Sequence, residues 1–325
     1  MTRAMGRSAL IAGAMALAVG AMTAGQSRIN GELAAVTGSG LQAALVSFGS
    51  GWILLTLILL AVPRVRRGLA QAGGALREGR LRWWQVGGGV LGGFFVAVQS
   101  ATVPVLGVAV FTVAVVAGQV SNSIAVDRAG LGPAGRQAVT PARVISAALA
   151  LAAVVVAVSD RLGGPVRGSV LAVVAALVAG LAIAVQQAIN GRVGAAAGNP
   201  WTAAWVNFTL GSVVLGAALG VAWGLTEFDP GALPPGPWWL YLGGTIGVLF
   251  IAAATWVVQR LGVLLFALLT ITGQLCGALL LDWLAPARGV TFHLTLVAGV
   301  LLAGVAVAVG TLPSWGPRML RRRGH

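Results

Sequence analysis

Long apolar runs separated by short polar segments set the pattern of this chain. Ten runs come close to the length of about 20 residues that a helix needs to cross a bilayer core. The continuous run over 84–126 divides at Pro104 and Gly107, which suit a tight turn, and the run over 238–284 divides at Gln259-Arg260. The predicted spans are 8–26, 41–62, 84–103, 105–126, 143–159, 169–189, 201–222, 238–258, 261–284 and 292–311.

Polar and glycine positions recur in the second half of the chain in the same order as in the first. The first set is Gln26, Asn30, Gly31, Phe48, Trp83-Trp84, Gly118-Gln119 and Asp127, and the second is Gln186, Asn190, Gly191, Phe208, Trp238-Trp239, Gly273-Gln274 and Asp282. Each copy holds five predicted spans, and because five is odd the second copy enters the membrane upside down. The sequence therefore predicts an all-α membrane protein of ten transmembrane helices, built as two inverted five-helix repeats around a central cavity. The repeats are residues 1–160 and 161–325, and the second ends in a basic tail.

The composition identifies lipid as the main solvent of the chain. Hydrophobic residues make up 58% of it and charged residues 9%, whereas a soluble domain is about half apolar and about a quarter charged. Too few polar groups remain to cover a water-exposed surface of this size. The chain is therefore predicted to be a multi-pass membrane protein with the lipid bilayer as its surroundings.

The charge distribution predicts how the chain is oriented. The net charge is +14, and every basic residue is an arginine. With ten spans, 17 arginines fall on the side of both termini and 4 on the other, so the excess predicts cytoplasmic N- and C-termini. Since the arginines lie between apolar runs, they indicate topology and not a nucleic-acid partner.

The ordered motifs resemble the drug/metabolite transporter superfamily, and in particular its YdcZ-like branch of bacterial membrane proteins. The resemblance rests on the recurring positions given above and on Pro104-Val105-Leu106-Gly107, and it covers about residues 8–311. The second copy has Gln259 where the first has Pro104, so that position is not a shared requirement. The resemblance implies a transporter in the bacterial cytoplasmic (inner) membrane.

Polar side chains within the spans are candidates for a solute pathway, because an unpaired polar group costs several kcal/mol in lipid and such residues face the bundle interior. They place spans 1, 3, 4, 6, 8 and 9 around a polar centre and leave spans 5 and 10 at the periphery. The amides alternatively cap helices or join them by hydrogen bonds, although solute contact is favoured for the deeper Gln119 and Gln274. The candidates are Gln26, Asn30, Gln99, Gln119, Asn122, Gln186, Asn190, Thr255 and Gln274.

Two carboxylates are candidates for a gate. Asp127 and Asp282 end spans 4 and 9 on opposite faces of the membrane. Their recurrence suggests an ion pair, with Arg128 or Arg260 as the partner. The alternative is a carboxylate in interfacial water, which contributes little.

Together these features predict a secondary transporter that moves a small organic solute by alternating access. An enzyme would need an acid/base pair, a nucleophile or a metal, and the spans offer no such set, so no enzyme activity, metal or cofactor is predicted. An amide-rich pathway without a mid-membrane acid favours a neutral or zwitterionic solute. A non-transporting scaffold or partner subunit stays open as an alternative. Solute identity, direction, coupling ion and oligomeric state, a homodimer included, stay open as well.

Overall fold

The computed structural model describes residues 2–159, 166–225, 236–261, 263–286 and 293–310, and in these residues it is all helical, with no strand. Two 3-10 turns, Trp83–Val86 and Trp238–Leu242, precede the fourth and ninth helices. The helices are α1 Thr2–Thr37, α2 Gly40–Ala61, α3 Pro63–Arg77, α4 Gly88–Leu106, α5 Val108–Ala129, α6 Pro141–Val158, α7 Val166–Ala197, α8 Pro200–Leu225, α9 Gly243–Leu261, α10 Val263–Leu284 and α11 Leu294–Gly310.

Eight helical segments of the described residues are long and apolar enough to cross a membrane. The two predicted spans that do not meet this length correspond to shorter apolar helices, Trp238–Ala253 and Leu294–Gly310. Many large apolar side chains of the spanning segments are exposed, such as Leu57, Leu171 and Val213. In water these would form a costly surface, so the exposed apolar belt is the part that faces lipid. The chain is a multi-pass membrane protein.

The predicted end of the first span was wrong, and so was that of the sixth. We predicted that α1 ends at residue 26 and α7 at residue 189, but they continue to Thr37 and Ala197. The Gln/Asn motifs therefore lie well inside their helices and not at the helix ends. The physical reason is that their amides have partners inside the bundle: Asn30, for example, is 0% exposed and donates a hydrogen bond to Gln99.

The predicted division at Gly107 is confirmed. Gly107 has a φ of 77°, a left-handed conformation that favours glycine, and it separates α4 from α5. Pro104 lies inside α4, two residues before that helix ends. The corresponding junction between α9 and α10 falls at residue 262, which lies outside the described residues.

The segment 63–82, between the second and third predicted spans, contains the amphipathic helix α3. Pro63 occupies its first turn, where the missing N–H costs nothing. Its buried positions recur with helical spacing, at Val65, Gly68, Ala72 and Ala75. The Thr202 hydroxyl of α8 donates to the Val65 carbonyl at 3.1 Å, so this helix packs on the end of the α7–α8 hairpin.

Close helix pairs hold the bundle together through small residues. Helix α1 packs on α10, α5 on α7 and α6 on α11. A Cβ atom on Gly20 would overlap the Thr270 carbonyl oxygen, and one on Gly180 would overlap the Val115 carbonyl oxygen. These glycines let backbones touch, which is how membrane helices associate when hydrophobic burial gives no advantage.

Candidate functional site

A cavity of about 450 Å³ opens between α7, α8 and α9, within the size range of small-molecule sites. It begins at the turn between α7 and α8 and reaches inward to α9. None of the described side chains that line it is charged. They are Asn190, Gly191, Gly194, Gly198, Asn199, Pro200, Ala203, Ala204, Asn207, Phe208 and Ile251.

Three amides from two helices form a cluster beside this cavity, and two of them, Asn190 and Asn207, line it. Gln186 and Asn190 are four residues apart on α7 and so share one face. The Nε2 of Gln186 and the Nδ2 of Asn190 both donate to the Oδ1 of Asn207 on α8, each at 3.0 Å. Asn207 is thus fixed at the centre of the cluster, with its amide plane held by two neighbours.

Aromatic and aliphatic groups form the other wall of the cavity. Phe208 stacks on Phe48 of α2, with ring centroids 4.8 Å apart. Gly51 and Gly211 provide the space for these rings, because a Cβ atom on either glycine would overlap the opposite phenylalanine. Ile251 approaches from α9. The cavity therefore combines amide hydrogen-bonding groups with an apolar wall, a pairing typical of sites for small organic molecules.

Amides of the first half form a closed cluster, in which Asn30 is the counterpart of Asn190. The Nδ2 of Asn30 donates to the Oε1 of Gln99 at 2.7 Å, and the Nε2 of Gln99 donates to the Ser27 hydroxyl at 2.8 Å. All three side chains are buried. These bonds join α1 to α4, and position 254, which corresponds to Gln99 in the second half, is an alanine.

Backbone packing seals the region beyond this closed cluster. A Cβ atom on Gly40 would lie 3.0 Å from the Cβ of Ala101, and one on Gly31 would overlap the Val103 side chain. The C-terminal part of α4 thus rests directly on the ends of α1 and α2. Ala43, Ala44 and Phe48 are 0%, 0% and 4% exposed here, slightly less than their cavity-lining counterparts Ala203, Ala204 and Phe208, at 7%, 8% and 8%.

Asparagine carbonyl oxygens lie against the first turns of α4 and α9. The Oδ1 of Asn190 occupies the place that a Cβ atom would take on Gly88, and the Oδ1 of Asn30 does the same at Gly243. The Oδ1 of Asn30 is buried without a hydrogen-bond partner. Each asparagine therefore needs a glycine opposite it, which explains the glycine that follows each Trp-Trp turn.

The other predicted pathway residues whose side chains the structure describes do not line the cavity. The Nε2 of Gln119 donates to the Oε1 of Gln187 at 3.0 Å, and the Nδ2 of Asn122 donates to the Leu181 carbonyl at 2.7 Å; both bonds join α5 to α7. Gln26 and Gln274 are partly buried. The side chain of Thr255 lies outside the described residues.

The two carboxylates have different surroundings. Asp127 forms an ion pair with Arg143 on α6, so the prediction of Arg128 as its partner was wrong. Asp282 is 2% exposed, and it accepts hydrogen bonds from the backbone N–H groups of Val108 at 3.0 Å and Ala109 at 2.7 Å. The alternative that placed it in interfacial water was wrong, because the first turn of α5 supplies N–H donors and a positive dipole end.

Several residues of the site were absent from the predicted set. Asn207 and Phe208 stand on span 7, which the grouping of polar spans left out. Ser27 contributes only a hydroxyl, and Asn199 stands at a helix start, where asparagine is a common cap. A signal for Asn207 existed, since an amide in an otherwise apolar run of 22 residues, 201–222, is costly without a partner.

Comparison with known families gives a match over most of the chain. A family model of the DMT type with the description "Putative inner membrane exporter, YdcZ" matches residues 11–156 and 171–309. No curated protein and no solved structure matches the chain.

Proposed function

This chain belongs to the YdcZ family of the DMT type, and we propose that it is a secondary transporter that exports a small, uncharged or zwitterionic organic solute across the cytoplasmic membrane. The observation that carries the proposal is the cavity at the α7–α8 hairpin, with its cluster of three amides, its apolar wall and its lack of charged side chains. A family of inner membrane exporters fits the outward direction.

The proposed architecture is two inverted five-helix repeats, residues 1–160 and 161–325. Matched contacts support it. Gly51 faces Phe208 while Gly211 faces Phe48, and Gly88 faces Asn190 while Gly243 faces Asn30. Such reciprocal contacts follow when two similar halves pack about a two-fold axis in the membrane plane.

The two halves differ in one respect that supports alternating access. The end of α4 is joined to α1 through Gln99 and packs on Gly40 at α2, whereas the cavity lies between α9 and the α7–α8 hairpin. With both termini cytoplasmic, as the arginine distribution predicts, the cavity opens to the cytoplasm and the opposite side is closed. During transport the first half would take up the open arrangement and the second half the closed one.

The test is solute binding followed by transport. Purified protein would be screened by thermal shift against neutral, zwitterionic, cationic and anionic organic solutes, and the solute with the largest shift would be loaded into proteoliposomes. We expect binding from the neutral or zwitterionic group and saturable movement across the vesicle membrane. Asn207→Ala should weaken binding about tenfold or more, because it removes the acceptor that orients two amides.

A matched control is available in Gln137→Ala. Gln137 lies in the exposed loop before α6, and its Nε2 donates only to the nearby Ala134 carbonyl at 3.2 Å. This variant should bind and transport as the wild type does. If no solute class binds, or if bound solute never crosses the membrane, the transporter proposal fails and a scaffold role gains support.

A further inference from the structure

An arginine-rich surface on α3 is not used by the proposed pathway. The segment 63–82 contains six arginines, at 64, 66, 67, 77, 80 and 82, and one acidic residue, Glu78. All six arginines are exposed. Such a density of like charge is self-repulsive, and an anionic partner would relieve this repulsion.

Contacts within the described part of the chain neutralise little of this arginine charge. Arg66 donates to the Leu60 carbonyl at the end of α2, and Arg80 pairs with Glu78 at 2.6 Å in an exposed position, where an ion pair contributes little. Among the described residues, no carboxylate lies within ion-pair distance of Arg67 or Arg77. Their guanidinium groups are therefore available to a partner outside the chain.

Helix α3 also has an apolar edge beside its arginine face. With 3.6 residues per turn, Leu69 and Leu76 fall on one side, while Arg66 and Arg77, eleven residues apart, fall on the next. Leu76 is exposed, and Trp83 follows with 78% of its surface exposed. Tryptophan and arginine beside leucine, on a helix that packs on α7 and α8, are typical of the boundary between hydrocarbon and headgroups.

We propose that α3 binds the phosphate headgroups of anionic phospholipids in the cytoplasmic leaflet through Arg67, Arg77 and their neighbours. Clusters of four to eight arginines beside a membrane helix attract anionic lipid, at about 1 kcal/mol for each one near the surface. Guanidinium groups also match phosphate oxygens in a bidentate geometry. The bound lipid would hold α3 in the plane of the membrane surface.

This lipid site would be coupled to the cavity mouth. A Cβ atom on Gly68 would touch the Ala197 carbonyl and the Cβ of Asn199, and Asn199 lines the cavity. The binding step itself does not depend on transport, so it can be measured whether or not a solute is found.

The experiment counts the lipids that stay on the protein. Full-length protein would be reconstituted in vesicles with equal amounts of phosphatidylglycerol and phosphatidylcholine, released into detergent and examined by native mass spectrometry. We expect retained phosphatidylglycerol in excess over phosphatidylcholine. In Arg67→Gln with Arg77→Gln the preference should fall about fivefold for each arginine removed, since each contributes about 1 kcal/mol.

The control removes the same charge elsewhere. Arg128 and Arg136 are exposed near the end of α5, on the side of the termini, and Arg128→Gln with Arg136→Gln should keep the preference. Equal retention of both lipids by the wild type, an unchanged preference in the α3 variant, or an equal loss in the control would each overturn the proposal. If the α3 variant does not fold, a wild-type preference that survives high salt would overturn it, because headgroup attraction is screened by ions.

Discussion

Gln99 shows how one amide can distinguish the two halves of the molecule. It accepts from Asn30 and donates to Ser27, whereas its counterpart in α9 is Ala254. The amide bonds therefore join α1 to α4 on one side of the bundle. A hydrogen bond between membrane helices contributes about 0.6 kcal/mol on average and at most about 1.7, so two such bonds bias the equilibrium without making it irreversible.

We expect Gln99→Ala to destabilise the closed side by about 1–2 kcal/mol, because Asn30 loses its acceptor in a buried position. The population open on that side should rise about fivefold to thirtyfold, measured by thiol labelling of Ala44→Cys in a Cys276→Ser background. Ser100→Ala is the matched control, since the Ser100 hydroxyl is buried next to Gln99 without a hydrogen-bond partner. Equal labelling in the two variants would contradict this role for Gln99.

Asp282 provides a second prediction at the residue scale. Its carboxylate caps the first turn of α5 through two backbone N–H groups, so Asp282→Ala should lower the free energy of unfolding by about 1–3 kcal/mol. Asp127→Ala breaks only a partly exposed ion pair with Arg143 and should cost about 0–1 kcal/mol. Thermal unfolding in detergent would compare the stabilities of the two variants. An equal loss of stability in both would argue against a capping role for Asp282.

At the scale of helices, the glycine contacts should control assembly. Gly180 lies against the Val115 carbonyl of α5, so Gly180→Ala forces α5 and α7 apart and should cost about 1–3 kcal/mol. Gly25 has no neighbour within 4 Å of a Cβ atom, and Gly25→Ala should be neutral or stabilising by about 1 kcal/mol. The yield of monodisperse protein and its unfolding midpoint measure both, and equal behaviour would contradict close packing at Gly180.

Helix positions followed from the sequence more readily than helix ends did. Apolar length located the spans, and Gly107 located one turn, because both signals are local. The ends of α1 and α7 depend on Gln99 and Asn207, which lie far along the chain and supply partners for polar residues that would otherwise end a span. Helix α3 escaped prediction because its buried positions are mostly small residues, Gly68, Ala72 and Ala75, and because it packs chiefly on α7, which lies far along the chain.

The candidate site likewise contains one residue that a sequence motif predicts and one that it does not. Asn190 was predicted because its motif recurs, and it lines the cavity. Asn207 has no such motif, since the matching residue in the first half is Ser47. The amide cluster depends on Asn207, a residue that differs between the two halves. A search for residues that recur in both halves therefore does not find it.

At the scale of the whole molecule, accessibility distinguishes an inward-open transporter from a symmetric bundle. Ile251 lines the cavity, and its counterpart Val96 in the first half is buried. Each would be replaced by cysteine in the Cys276→Ser background, so that a membrane-impermeant maleimide reports on a single site. The two positions correspond in sequence, and any difference in labelling therefore reflects the conformation of the halves.

We expect Ile251→Cys to react at least tenfold faster than Val96→Cys, and only when the reagent reaches the cytoplasmic face, in inside-out vesicles. Saturating solute should change this ratio if the cavity closes around it, because a ligand shifts the equilibrium toward the state that binds it better. Reaction of Ile251→Cys from the outer face would reverse the orientation derived from the arginines. Equal reaction of both cysteines would contradict a closed outer side, and the exchange of arrangements between the halves would lose its structural basis.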